Sequence, residues 1–232
     1  GVLAGVEDHV FSASSTYTNP LKAVEFFRKT GVDALAISYG TMHGASKGKD
    51  VKLRKEIATA IRECLSHEGI FGALVSHGSS TVPKYIVDEI NALGGELTNA
   101  YGISIEELQA AIPCGINKIN VDTDIRLAVT RNMKELFVKY PELRTSASIG
   151  EIYELLEAKK SQFDPRVFLP PIMDTVMKGT IPDDDVAAIV NCVERGVKEV
   201  VGTLIVQFGS FGKAPLVEQV TLEEMIERYK KN

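Results

Sequence analysis

Phe71-Gly72-Ala73-Leu74-Val75-Ser76-His77-Gly78-Ser79-Ser80 turns from an apolar run into a polar cluster within a few residues. Phe71 to Ser76 shows no alternation of apolar and polar positions, as suits a short strand buried on both faces of a parallel sheet. A helix is expected from Pro83 through Leu93. The same order recurs on either side. Upstream, Asp33 to Tyr39 is apolar and lies between Gly31 and Gly40. A helix from Pro20 to about Thr30 precedes it, with Asn19 as cap and Pro20 at the first position, and a helix from about Val51 to His67 follows. Downstream comes a glycine-rich excursion from Leu93 to Gly102, then a helix from Ser104 to Ile112. Ser104 stands three residues before Glu107, a capping box, and Cys114-Gly115 ends the segment. A strand over Ile116 to Val121 and a helix from Thr123 to Phe137 complete the series.

With the opening Gly1-Val2-Leu3, strand centres fall near Leu3, Ala36, Leu74 and Ile119, at intervals of roughly 35 to 45 residues, each followed by a helix. Repeated βα units of this kind build parallel sheets or barrels. Beyond Pro141 the strand signal fades. Helices are expected at Ile149–Lys160, Phe168–Lys178, Asp185–Glu199 and Leu222–Lys230, the third with an apolar stripe at Val186, Ile189, Val190, Val193, Val197 and Val200. The expected division is residues 1–140 for the βα units and 141–232 for a helical extension that packs on them or on a neighbouring subunit.

The composition of the 232 residues, 44% hydrophobic and 25% charged, is that of a chain with a full globular core. A net charge of -5 argues against a nucleic-acid partner, which needs a basic surface. Cys64, Cys114 and Cys192 are far apart and form no CxxC pair, so reduced thiols are expected rather than a disulfide framework. No apolar run approaches the ~20 residues of a membrane span, and the first residues lack the pattern of a secretory leader. The expectation is a cytoplasmic protein with no membrane partner.

In parallel α/β folds ligands bind at the carboxyl ends of strands. Three strand ends here carry polar clusters: Tyr39 to Gly44, Ser76 to Ser80, and Asn120 to Asp124. His43 and His77 occupy like positions, each before a glycine, so their imidazoles could converge on one metal while nearby amides remain open to a phosphate. His9 and His67 are poor third ligands. Glu7 and Asp8 follow the first strand end and can bring a carboxylate to the same mouth. Gly44, Gly78, Ser79, Ser80 and Thr123 offer small side chains and backbone donors suited to a phosphate. Each feature also has a plain structural explanation, and the pair of histidines weighs most.

GVLAGVED, YTNP, GTMHGASK, LVSHGSS and KINVDTD, in this order and spacing, resemble the second half of the class II fructose-bisphosphate aldolases. The resemblance runs from Gly1 to about Phe137 and is less secure in the later helices. It implies a (β/α)8 TIM barrel of which this chain carries about strands 5 to 8, with a helical extension; the family's catalytic aspartate and third zinc histidine would lie in the first four. It implies a Zn2+ cofactor with His43 and His77 as two of its ligands, and a monovalent cation, K+ or Na+, nearby. Glu7 falls on the family's proton-moving glutamate. Gly44, Gly78, Ser80, Asp122 and Thr123 fall where the family holds the triose phosphate and that cation, Lys47 near the phosphate, and Asn120 where an amide meets a substrate hydroxyl or enediolate. Ser79 replaces a frequent second glycine, which narrows the turn's freedom.

The implied reaction is reversible cleavage of fructose 1,6-bisphosphate to dihydroxyacetone phosphate and glyceraldehyde 3-phosphate, with metal Lewis acidity in place of a Schiff-base lysine. Tagatose bisphosphate is the nearest alternative substrate, which the first aspartate of NVDTD and the Gly94 to Gly102 segment disfavour. A reading from another class is a non-catalytic phosphate-binding module. Small sugar phosphates are the expected partners, a homo-oligomer (dimer or tetramer) the expected assembly, and the chain by itself is expected to show no turnover.

Overall fold

The computed structural model describes residues 4–5, 17–43 and 50–230. Its strands are β1 (Ala4–Gly5), β2 (Ala34–Ala36), β3 (Met42–His43), β4 (Ala73–Ser76) and β5 (Ile116–Ile119). All described pairings are parallel: β1 with β3, β2 with β4, and β4 with β5. Because β2 and β3 belong to one stretch, each unit lies beside the next, the arrangement that successive βα units produce. The fold is thus α/β with parallel strands, and the described strands form two open sheets with no closed barrel among them.

The stretch expected as one strand from Asp33 to Tyr39 keeps ladder geometry only over Ala34–Ala36. Ile37 N–H still donates to Val75 O, but Ser38 turns aside, exchanging bonds with Thr18: Ser38 N to Thr18 Oγ1 and Thr18 N to Ser38 O, both 2.8 Å. Helix α1 (Pro20–Thr30) starts as expected, with Asn19 Oδ1 accepting from Lys22 N at 3.2 Å and Gly31 closing it at φ 64°. Helix α2 (Lys55–His67) packs beside α1. Helices α3 (Lys84–Ala92) and α4 (Ile105–Ala111) precede β5, and α5 (Thr123–Lys139) follows it.

Only half of the capping box at Ser104 forms. Ser104 Oγ accepts from Glu107 N, yet the Glu107 carboxylate turns outward to Lys55 Nζ at 2.7 Å and Leu53 N at 3.1 Å. It thereby ties α4 to the segment before α2, and the lysines and the amide pull its pKa down to about 2.

Phe27, Ile37, Tyr39, Ile61, Leu65, Leu74, Leu108 and Ile116 form the core between the sheet and helices α1, α2 and α4. The later helices α6 (Gly150–Ala158), α7 (Pro170–Met177) and α8 (Asp184–Gln207) build a second core against α5 around Met133, Phe137, Ile152, Phe168 and Ile189. Helix α9 (Leu222–Lys230) spans the residues expected for it and buries none of them. α8 continues past the expected end at Glu199 to Gln207, through Gly202.

The face α8 buries keeps Val186, Ile189 and Val200 of the apolar stripe read in sequence, with Val190 and Val193 packed against the second core, and departs from it at Val197. Val186, Ile189, Cys192, Gly196 and Val200 are buried, whereas Val197 is 36% exposed. A Cβ at Gly196 would stand 2.8 Å from Val129 N, so the glycine sets how closely α8 approaches α5. Hydropathy sets most of that face, and the close backbone approach shifts it to Gly196 at its centre.

Candidate functional site

β4 and β5 end side by side, and their trailing loops are joined backbone to backbone: Asn120 N donates to Ser76 O at 2.9 Å and Ser79 N to Asn120 O at 3.3 Å. His77 and Asn120, the first residues beyond the two strands, therefore meet. Asn120 Nδ2 lies 3.2 Å from His77 Nδ1 and 3.1 Å from Nε2, so the amide can donate to whichever ring nitrogen carries the lone pair. Lys118 Nζ, 2.6 Å from Asn120 Oδ1, holds the other end of the amide. Lys118 was not among the residues singled out from sequence.

Beneath this pair the 77–82 loop is held on both sides. Tyr39, Ser76 and Ser79, all buried, form a hydroxyl chain that runs on from Ser79 Oγ to the His77 carbonyl at 3.4 Å. Burial pushes the Tyr39 phenol up to about 12, so it stays protonated at the head of the chain. Ser79, flagged in sequence as replacing a glycine, thus anchors the turn, while the left-handed φ of 64° falls on Gly78. On the other side the buried Asp124 carboxylate accepts from Thr81 N at 3.0 Å, Thr81 Oγ1 at 2.7 Å and Val82 N at 2.8 Å. Val82 has φ 50°, costly for a β-branched residue, and Asp124 over-determines it. Gly102 completes the clamp, because any Cβ there would lie 2.2 Å from the Thr81 backbone. Asp124 and Tyr39 lacked a role in the sequence reading because their partners come from other units of the chain.

Ser80 Oγ accepts from both Asp122 N at 3.2 Å and Thr123 N at 3.1 Å at the start of α5. Two amides offered in sequence to a phosphate are therefore engaged by an internal hydroxyl, and Ser80 and Thr123 are buried. Asp122 is exposed, its carboxylate drawn along the helix by Arg126, which also reaches Asp164 at 2.6 Å. The open rim thus consists of His77, Gly78, Asn120 and Asp122. Glu7, Gly44 and Lys47 lie outside the described residues, as does the His43 side chain; the His43 backbone ends β3, paired with Gly5.

Among the described residues no group of three or more His, Cys, Asp or Glu is placed to hold a metal ion. His77 can offer a divalent metal one imidazole nitrogen, and doing so requires its lone pair to leave the Asn120 amide, because a lone pair that accepts a hydrogen bond cannot also bind zinc. No helix of the described residues is long and apolar enough to cross a membrane.

Residues 1–213 match the family model described as fructose-bisphosphate aldolase class-II. The fructose-bisphosphate aldolase of Nostoc commune is 34% identical over 227 residues, covering 98% of this chain and 51% of the relative. That of Giardia intestinalis is 36% identical over 231 residues, covering 99% of this chain and 58% of the relative. Among solved structures, the YdjI aldolase of Escherichia coli K12 superposes with a TM-score of 0.46 at 24% identity, covering 85% of this chain and 48% of that one. The chain spans about half the length of the curated relatives it matches.

Proposed function

The chain belongs to the class-II fructose-bisphosphate aldolase family, and from that premise we propose that it supplies one side of the active site for reversible aldol cleavage of fructose 1,6-bisphosphate. The observation that carries the proposal is the meeting of the His77 ring and the Asn120 amide at adjacent parallel strand ends, where α/β folds keep their chemistry. Residues 1–140 would form the second half of a (β/α)8 barrel and 141–232 a helical extension. Sugar phosphates are the proposed partners, in a cytoplasmic homo-oligomer.

His43 and His77 would hold Zn2+, which when bound supplies Lewis-acid polarisation of the substrate carbonyl. The chain's own residues do the rest of what can be assigned to it. Asn120 Nδ2 donates toward a developing oxyanion at the mouth. Gly78 and the exposed Asp122 line the rim where the triose phosphate and its accompanying monovalent cation would bind, while Ser80 and Thr123 shape the rim from behind. Glu7 would move the carbon-bound proton and Lys47 would add charge near the phosphate. Proton transfer at the aldehyde oxygen is assigned to no residue of this chain, so the 232-residue polypeptide alone is proposed to lack turnover.

The test is a coupled cleavage assay on the intact gene product with fructose 1,6-bisphosphate and tagatose 1,6-bisphosphate, before and after chelation and zinc return. Cleavage of fructose bisphosphate that vanishes on chelation and returns with zinc supports the reading. A tagatose preference would reassign the substrate. Chelator-insensitive cleavage, or none, would sink it.

A further inference from the structure

β5 is not a regular strand, and its irregularity decides what Asn120 faces. Leu74 pairs with Ile116, but the next residue of β4, Val75, pairs with Lys118, and Ser76 with Ile119. Asn117 is thus an extra residue, a β-bulge, and its Oδ1 accepts from Leu74 N at 2.9 Å, satisfying the amide that the bulge would leave unpaired. Partners across a parallel ladder project to the same face. Leu74, Ser76, Ile116 and Ile119 therefore share one face, and Ile116 and Ile119, three residues apart, both join the core cluster of Leu74. Val75 and Lys118 share the other face, which continues to His77 and Asn120. In an unbulged strand paired from Leu74 and Ile116, Asn120 would project to the face opposite His77.

The same bulge brings Lys118 onto the face of Asn120, where its ammonium lies 2.6 Å from Oδ1. An ammonium donates and cannot accept, so the atom facing it must be the carbonyl oxygen, and the amide nitrogen must turn toward His77. A reversed amide would present an acceptor to the ring and withdraw the donor from the mouth.

We infer that Lys118, brought into place by the Asn117 bulge, is a positioning residue that fixes the orientation of the Asn120 amide and so the donor it offers to substrate. This rests on the aldolase reading for its effect on catalysis, but the orientation itself can be observed without turnover. Lys118 is exposed, so its replacement should leave the fold intact. The experiment compares Lys118→Met and Lys118→Arg in the intact gene product by two readouts. The first is kcat and KM for fructose 1,6-bisphosphate cleavage. The second is the side-chain amide resonance of Asn120 in a 15N-labelled sample, identified by its loss in Asn120→Asp.

Lys118→Met is expected to lower kcat about tenfold with KM within about twofold, the scale of one misdirected hydrogen bond in the transition state. It should also shift the Asn120 amide resonance, and Lys118→Arg should restore both. Unchanged kcat and an unmoved Asn120 signal in Lys118→Met would overturn the inference, as would an equal loss in the arginine variant. If the unmodified protein cleaves no sugar bisphosphate, the aldolase reading fails, and the resonance still decides the positioning role.

Discussion

The strand-end rim and the helical tail are held together by different means. At the rim, order comes from buried polar atoms whose partners lie in other βα units: Asp124 on the Thr81–Val82 backbone, Ser80 on the start of α5, and the Tyr39–Ser76–Ser79 chain beneath His77. In the tail, order comes mainly from apolar burial and the close approach of α8 to α5 at Gly196, with a few polar ties such as Asn132 Nδ2 donating to Cys192 O at 3.1 Å. Hydrogen bonds fix direction as well as distance, whereas apolar contacts tolerate repacking. A rim built the first way can aim a ring and an amide; a tail built mainly the second way contributes chiefly stability.

The largest break in that contrast should come from Asp124→Ala. Removing the carboxylate strands two backbone amides and a hydroxyl around the unfavourable Val82 backbone, and the expected cost is on the order of 3 to 4 kcal/mol in urea unfolding of the intact protein. Asp124→Asn, which keeps one acceptor oxygen, should lose roughly half as much. A loss below about 1 kcal/mol for the alanine variant would show that the clamp is not what holds the loop.

Gly196→Val tests the tail. A side chain would be driven into the Val129 backbone, at an expected cost of about 1 to 3 kcal/mol, while the Asn120 and His77 resonances should stay in place. Movement of the rim signals would mean that the two regions are coupled.

A smaller effect is expected at Glu107, whose carboxyl is held down to about 2 from 4.5 by Lys55, the Leu53 amide and Lys52. A lowered carboxylate pKa contributes stability that is present above the unfolded value and is lost as pH falls through the folded one. Glu107→Gln should therefore cost about 1 kcal/mol at pH 6, a difference that shrinks between pH 4.5 and 2. A difference independent of pH would assign the loss to packing.

How much of this was legible beforehand follows the same divide. The cap of α1 by Asn19, with Pro20 at its first position, and the bounds of α9 were readable because the signals are local. The place of His77 at a strand end was readable because a strand ending in a glycine turn is also local. Reading Ile116 to Val121 as a plain strand missed the bulge, because only the pairing with β4 shows that Asn117 is an extra residue. The half-formed capping box has the same origin: Glu107 found lysines about fifty residues away, and no local pattern announces them. On α8, hydropathy favoured Val197 while the packing chose Gly196, since a hydropathy stripe gives no weight to how closely two backbones must approach.

The claim that the rim is a metal-dependent reaction centre is tested most directly by measuring bound zinc and fructose 1,6-bisphosphate cleavage together, in the intact gene product and its His77→Ala variant. The account predicts one tightly held zinc per subunit in the unmodified protein, and in the variant loss of that zinc with a drop in turnover of more than about 100-fold, while the zinc-free forms of the two proteins melt at similar temperatures. A His77→Ala protein that keeps its zinc and its turnover would contradict the account.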